Sequence, residues 1–108
     1  MEKSVVYKAL ESYQLYLQLG ATPFEQSKLD AVVKCKEYLE NGGKEDDDWL
    51  FSTIEISNAV TYYHKQLDAT LREAKITNDA ALIADLRVEQ RIISKLNTRF
   101  DEFYSQFT

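Results

Sequence analysis

Four cations recur at steps of four near the C-terminal end of the chain: Arg87, Arg91, Lys95 and Arg99. On a helix a step of four draws a nearly straight ridge that drifts slowly around the axis. Their neighbours three and four residues away include a single acid, Glu102 beside Arg99. Such a ridge is solvated, paired with another helix, or presented to a partner, and Asp30, Glu37 and Glu40 are the candidate internal partners. An acidic run, Glu45-Asp46-Asp47-Asp48, stands directly before the apolar Trp49-Leu50-Phe51. Carboxylate oxygens bind divalent cations, but a calcium loop needs alternating acids, a glycine at its sixth position and a glutamate at its twelfth, which this run lacks. The simpler reading is a solvated loop whose acids cap the next helix and favour the positive end of its dipole. Docking a basic patch is the alternative. These eight residues form the candidate partner-binding set.

Other residues with chemical potential lack the company that catalysis needs. His64 is the only histidine and Cys35 the only cysteine, so no zinc set of the usual ligands can be built. A general base at His64 would need a nucleophile and an orienting group that the sequence does not indicate. Glu89 falls in a core-phase position between Leu86 and Ile93, which suggests a break in an apolar seam or a pair with Lys65 or Arg72. A di-metal bundle would need Glu-x-x-His spacing, and no glutamate here has it. Gly20 and Gly42-Gly43 lack the spacing and the following Lys-Ser/Thr of a phosphate loop. No catalytic residue, metal or cofactor is expected, and the chain reads as a non-enzyme.

Composition sets the frame. The 108 residues fit one domain, 1–108, with 44% hydrophobic and 29% charged residues. Three glycines and one proline are too few for the turns of an all-β fold. The net charge of −5 opposes sequence-independent nucleic-acid binding, which needs excess cations to release counterions. A lone cysteine fits a reducing, cytoplasmic location. The longest uncharged run, Ser12 to Phe24, is broken by Gly20 and Pro23 and is too short for a membrane span.

Apolar periodicity supplies the elements that must carry these residues. Val6, Leu10, Tyr13 and Leu17 step by four, three and four, predicting a helix over 2–19 with Gly20 as a left-handed cap. Thr22-Pro23-Phe24-Glu25 matches an N-cap, an N1 proline and a capping-box acid, opening a second helix over 23–40. Asn41-Gly42-Gly43 ends it. A third helix is predicted over 48–74, with Ile56, Val60, Tyr63, Leu67 and Ala74 in phase. A fourth over 78–107 has Leu82, Leu86, Ile93, Leu96, Phe100, Phe103 and Phe107 in phase. A turn at Lys75–Asp79 would bring the two stripes together as an antiparallel hairpin, with Val60 near Leu96, Ile56 near Phe100 and Trp49 near Phe107. One continuous helix through those residues is the competing reading.

The expected fold is therefore all-α: a four-helix domain with a long antiparallel C-terminal hairpin. The fourth helix carries a second apolar set, Ala81, Ile83, Ala84, Val88 and Ile92, to be covered by the first two helices or by another subunit. The tyrosines of the first helix, Tyr7, Tyr13 and Tyr16, are read as core or dimer contacts. The leading function is a non-catalytic protein-protein interaction module, a small accessory or inhibitory protein acting by surface complementarity, with a homodimer as one form. The runners-up are a nucleic-acid-associated regulator using the basic ridge, and an acidic mimic of nucleic acid presenting Glu37, Glu40 and Glu45–Asp48.

Overall fold

A computed structural model describes residues 2–20 and 26–107. The described residues form five helices and no strand: α1 Glu2–Leu19, α2 Gln26–Glu40, α3 Asp47–Leu50, α4 Ile54–Thr77 and α5 Ala80–Ser105. The long hairpin is present, with α5 packed along α4, while α1 lies against both α2 and α4. The cap expected at Thr22, Pro23 and Glu25 lies outside the described residues.

The reversal between α4 and α5 is made by two residues. Asn78 takes the left-handed conformation (φ 57°, ψ 40°), and its N–H donates to the Lys75 carbonyl. The next N–H, from Asp79, donates to the Ala74 carbonyl at 3.0 Å. This pair of bonds is the Schellman ending, and asparagine tolerates it better than any branched residue. Asp79 then caps α5, its carboxylate accepting from the Leu82 N–H at 3.1 Å. One residue stops a helix and the next starts another, which excludes a continuous helix. α4 consequently ends at Thr77, three residues beyond the expected Ala74.

The predicted third helix is broken instead of continuous. Asp46 caps the four-residue α3, accepting from the Trp49 N–H. The chain then turns at Phe51–Thr53, where the Ser52 hydroxyl donates to the Trp49 carbonyl at 2.6 Å and Thr53 caps α4 by accepting from the Glu55 N–H. Serine and threonine hydroxyls compete for local backbone groups, so two in a row favour a helix boundary over a helix interior. This turn cancels the expected pairing of Trp49 with Phe107. Trp49 stacks on Tyr38 of α2 at 5.4 Å, and Phe107 is 71% exposed.

The core follows the periodic stripes. Val6, Leu10 and Leu17 of α1, Val32 and Leu39 of α2, Ile56, Val60 and Leu67 of α4, and Ile93, Leu96 and Phe100 of α5 are all buried. Burying one such side chain fully contributes roughly 1.5–3 kcal/mol. The hairpin stripe is not buried to its ends: Leu82, near the turn, is 39% exposed. The left-handed glycine is Gly42 (φ 88°), not Gly20. Gly43 sits under the Tyr38 ring, which a Cβ there would strike.

Candidate partner-binding surfaces

α5 places the cation ridge, and the structure splits it. Arg99 pairs with Asp47 of α3, so the basic ridge and the acidic run, separate in sequence, meet at one point. Arg87, Arg91 and Lys95 are exposed, and no ion pair or hydrogen bond engages their side chains among the described residues. The expected internal partners on α2 are occupied or elsewhere. Asp30 accepts from Gln26, and Glu40 accepts from the Tyr7 hydroxyl at 2.6 Å. That bond to Glu40 is the main reason the Tyr7 hydroxyl is pushed above its ordinary pKa.

The second apolar set on α5 is not one face. Ile83 and Ile92 are nine positions apart, about 180° on a helix, and each packs against the core from an opposite edge. What stays open is Ala81, Ala84 and Val88, the last 43% exposed. Val88 lies one turn from Ala84 and from Arg91, and seven residues from Lys95, so the open apolar strip runs directly beside the three free cations. α1 and α2 do not cover it.

The acidic run is distributed among structural tasks. Asp46 caps α3, Asp47 holds Arg99, and Asp48 and Glu45 carry no ion pair among the described residues. Among the described residues no group of three or more His, Cys, Asp or Glu side chains is placed to hold a metal ion. His64 is also engaged: the Asn97 amide donates to its Nδ1 at 2.8 Å, and its Nε2 lies 3.8 Å from Asp68.

Two carboxylates join helices from within. Glu89 pairs with neither Lys65 nor Arg72. Its Oε1 accepts from the Lys8 ammonium of α1 at 3.0 Å and from the Tyr63 hydroxyl of α4 at 3.1 Å, tying three helices at one atom. Its side chain is 18% exposed. The Tyr63 hydroxyl is held far above its usual range, first by burial and then by the Glu89 charge. Glu55, only 8% exposed, sits in the first turn of α4 and accepts from Tyr13 of α1 and Asn58. The helix dipole favours a carboxylate there. Burial, with a smaller contribution from Glu55, raises the Cys35 thiol pKa.

The tyrosines of α1 divide between roles. Tyr13 is buried and Tyr7 half-buried, but Tyr16 is exposed and packs its ring on Tyr62 at 4.8 Å. A groove of about 580 Å³ runs between α1 and the end of α2, lined by Lys3, Lys8 and Glu11 of α1 and Glu40 of α2. Its charges oppose each other, so it favours neither an anion nor a cation.

At the far end of the hairpin lies a surface that local sequence patterning missed. The Phe51–Thr53 turn carries Phe51 onto α5, where its ring stacks on Phe103 at 4.2 Å with only 5° between planes. Phe51 also meets the buried Phe100 edge-on, and Phe107 meets Phe103 edge-on at 5.3 Å. A cleft of about 260 Å³ opens beside this stack, lined by Asp47, Phe51, Arg99, Glu102, Phe103 and Gln106. The sequence offered no signal for it, because Trp49 and Thr53 continue the α4 phase and supplied Phe103 and Phe107 with apparent partners.

Comparison of the chain with protein-family models, with curated proteins and with solved structures finds no match in any of the three. No helix among the described residues is long and apolar enough to cross a membrane.

Proposed function

We propose that this chain is a non-catalytic protein-binding module that docks an acidic surface of another protein onto the exposed edge of α5. One observation carries the reading: Arg87, Arg91 and Lys95 stand in a row, without partners among the described residues, beside the open Ala81-Ala84-Val88 strip, on a molecule whose net charge is −5. Lys8, Lys36 and Arg99 are by contrast paired internally. An apolar strip with charges along its edge is what a docked helix or loop needs, the apolar part for affinity and the charges for orientation and on-rate. The non-catalytic part of the reading is supported by the employment of His64, Glu55 and Glu89 in interhelix contacts.

A different protein fits the strip better than a second copy. Antiparallel two-fold pairing of α5 through Val88 would align the cation rows of both copies along one edge, where like charges repel. A cytoplasmic location belongs to the proposal and is supported by the free thiol of Cys35. A nucleic-acid partner would use the same three cations, so the test must separate the two.

The test compares the chain with its Arg91→Glu/Lys95→Glu variant in affinity capture from an extract, beside a Lys65→Glu control on α4. The expected result is a captured protein lost from the double variant, kept by the control, released by moderate salt and indifferent to nuclease. Identical capture by both variants contradicts the proposal. Tight binding of labelled DNA or RNA at low salt, lost in the double variant, would favour the nucleic-acid reading.

A further inference from the structure

The end of the hairpin opposite the Asn78 turn carries a second surface, of different chemistry from the α5 strip. Phe51 and Phe103 form a near-parallel stack, Phe107 extends it edge-on into solvent, and Phe100 anchors it to the core. Aromatic side chains, phenylalanine among them, are enriched at protein interfaces. The electrostatics of the rim fix what could bind there. Asp47 is held by Arg99, so that pair is neutral, whereas Glu102 lines the same cleft with no ion pair among the described residues. The cleft is thus walled by aromatic rings and carries one carboxylate, that of Glu102, beyond the Asp47–Arg99 pair.

We propose that this cleft, between Phe51, Phe103 and Phe107 and beside Glu102, docks a basic segment of a partner protein, with an arginine or lysine side chain lying against the rings. A guanidinium over the face of a phenylalanine gains cation–π attraction, and the adjacent carboxylate completes the pairing. Phosphate is disfavoured by the Glu102 carboxylate, and an acidic segment for the same reason. The surface is independent of the α5 strip, and the two together give a small protein with one site for an acidic neighbour and one for a basic neighbour.

The test is a nuclear magnetic resonance titration of the isotope-labelled full chain with two short synthetic peptides, alike in leucine content but carrying either arginines or glutamates. The expected result is saturable shifts at Phe51, Glu102, Phe103 and Phe107 with the arginine peptide alone. Phe107→Ala combined with Glu102→Gln, both exposed positions, should weaken that binding about tenfold while leaving the thermal midpoint in place. Shifts spread equally over Glu37, Glu40 and Glu73 would overturn the proposal, as would unchanged binding by the double variant. So would concentration-dependent self-association through the aromatic cleft in the absence of peptide, because a second copy would then be its occupant.

Discussion

Replacing Glu89 by glutamine removes one charge and almost no volume, and its cost follows from the geometry. Oε1 serves the Lys8 ammonium at 3.0 Å and the Tyr63 hydroxyl at 3.1 Å. Lys8 is more than half exposed, so the ion pair contributes about 0.2–1 kcal/mol. Tyr63 keeps an acceptor in the glutamine carbonyl, but the bond loses its charge assistance, about 1 kcal/mol. Glu89→Gln should therefore destabilise by about 1–2 kcal/mol, or roughly 4–15 °C in Tm for a domain of this size. Glu89→Ala should cost more, because the half-buried Tyr63 hydroxyl then has no acceptor. Urea denaturation with circular dichroism measures both.

The pH dependence gives an independent readout of the same node. Burial and Glu89 favour the neutral Tyr63 hydroxyl, raising its folded pKa above the unfolded value of about 10. Between these two values the unfolded state binds fewer protons than the native state, so stability falls as pH rises. The contribution is complete below about pH 10 and is lost above it. In Glu89→Gln the phenolate, followed by ultraviolet absorbance, should appear at lower pH than in the parent chain. A variant with unchanged Tm and an unchanged Tyr63 titration would refute the view that Glu89 ties α1 to the hairpin.

Further outcomes follow from the caps and glycines. Asn78→Val forces a branched residue into φ 57° and should cost about 1–2 kcal/mol, measured by thermal melting, whereas Asn78→Gly should not destabilise. Gly43→Ala should displace the Tyr38 ring from Trp49, seen as a change in tryptophan fluorescence and a lower Tm. Arg91→Glu with Lys95→Glu should change the unfolding free energy by no more than about 0.5 kcal/mol, measured by urea denaturation, because neither cation has an internal partner among the described residues to lose.

What the sequence made legible was whatever repeats locally. The four-three series of Val6, Leu10, Tyr13 and Leu17 located α1 to the residue, because one buried stripe sets both its phase and its length. Matching stripes in α4 and α5 indicated the hairpin, and the polar Asn78-Asp79 pair supplied its turn. The break at Phe51–Thr53 was hidden because Trp49 and Thr53 keep the α4 phase, while the hydroxyl bonds that end α3 and begin α4 do not disturb a period. Lys8 with Glu89 and Asp47 with Arg99 were equally hidden. Such pairs depend on how whole helices are set against each other, and long charged side chains reach their partners without any regular spacing. Of the candidate set, Arg99 and Asp47 are joined to each other, and Arg87, Arg91 and Lys95 carry no ion pair among the described residues.

The central claim is that the Ala84-Val88 edge of α5 is covered by another protein. A photo-crosslinking amino acid placed at Val88, in the chain expressed in its own cells, tests this directly, with the same group at the exposed Thr61 of α4 as control. The expected result is a discrete higher-mass adduct from position 88, absent from position 61 and abolished by Arg91→Glu/Lys95→Glu. An adduct at 61 with none at 88, or one at 88 that persists through the charge reversal, would contradict it.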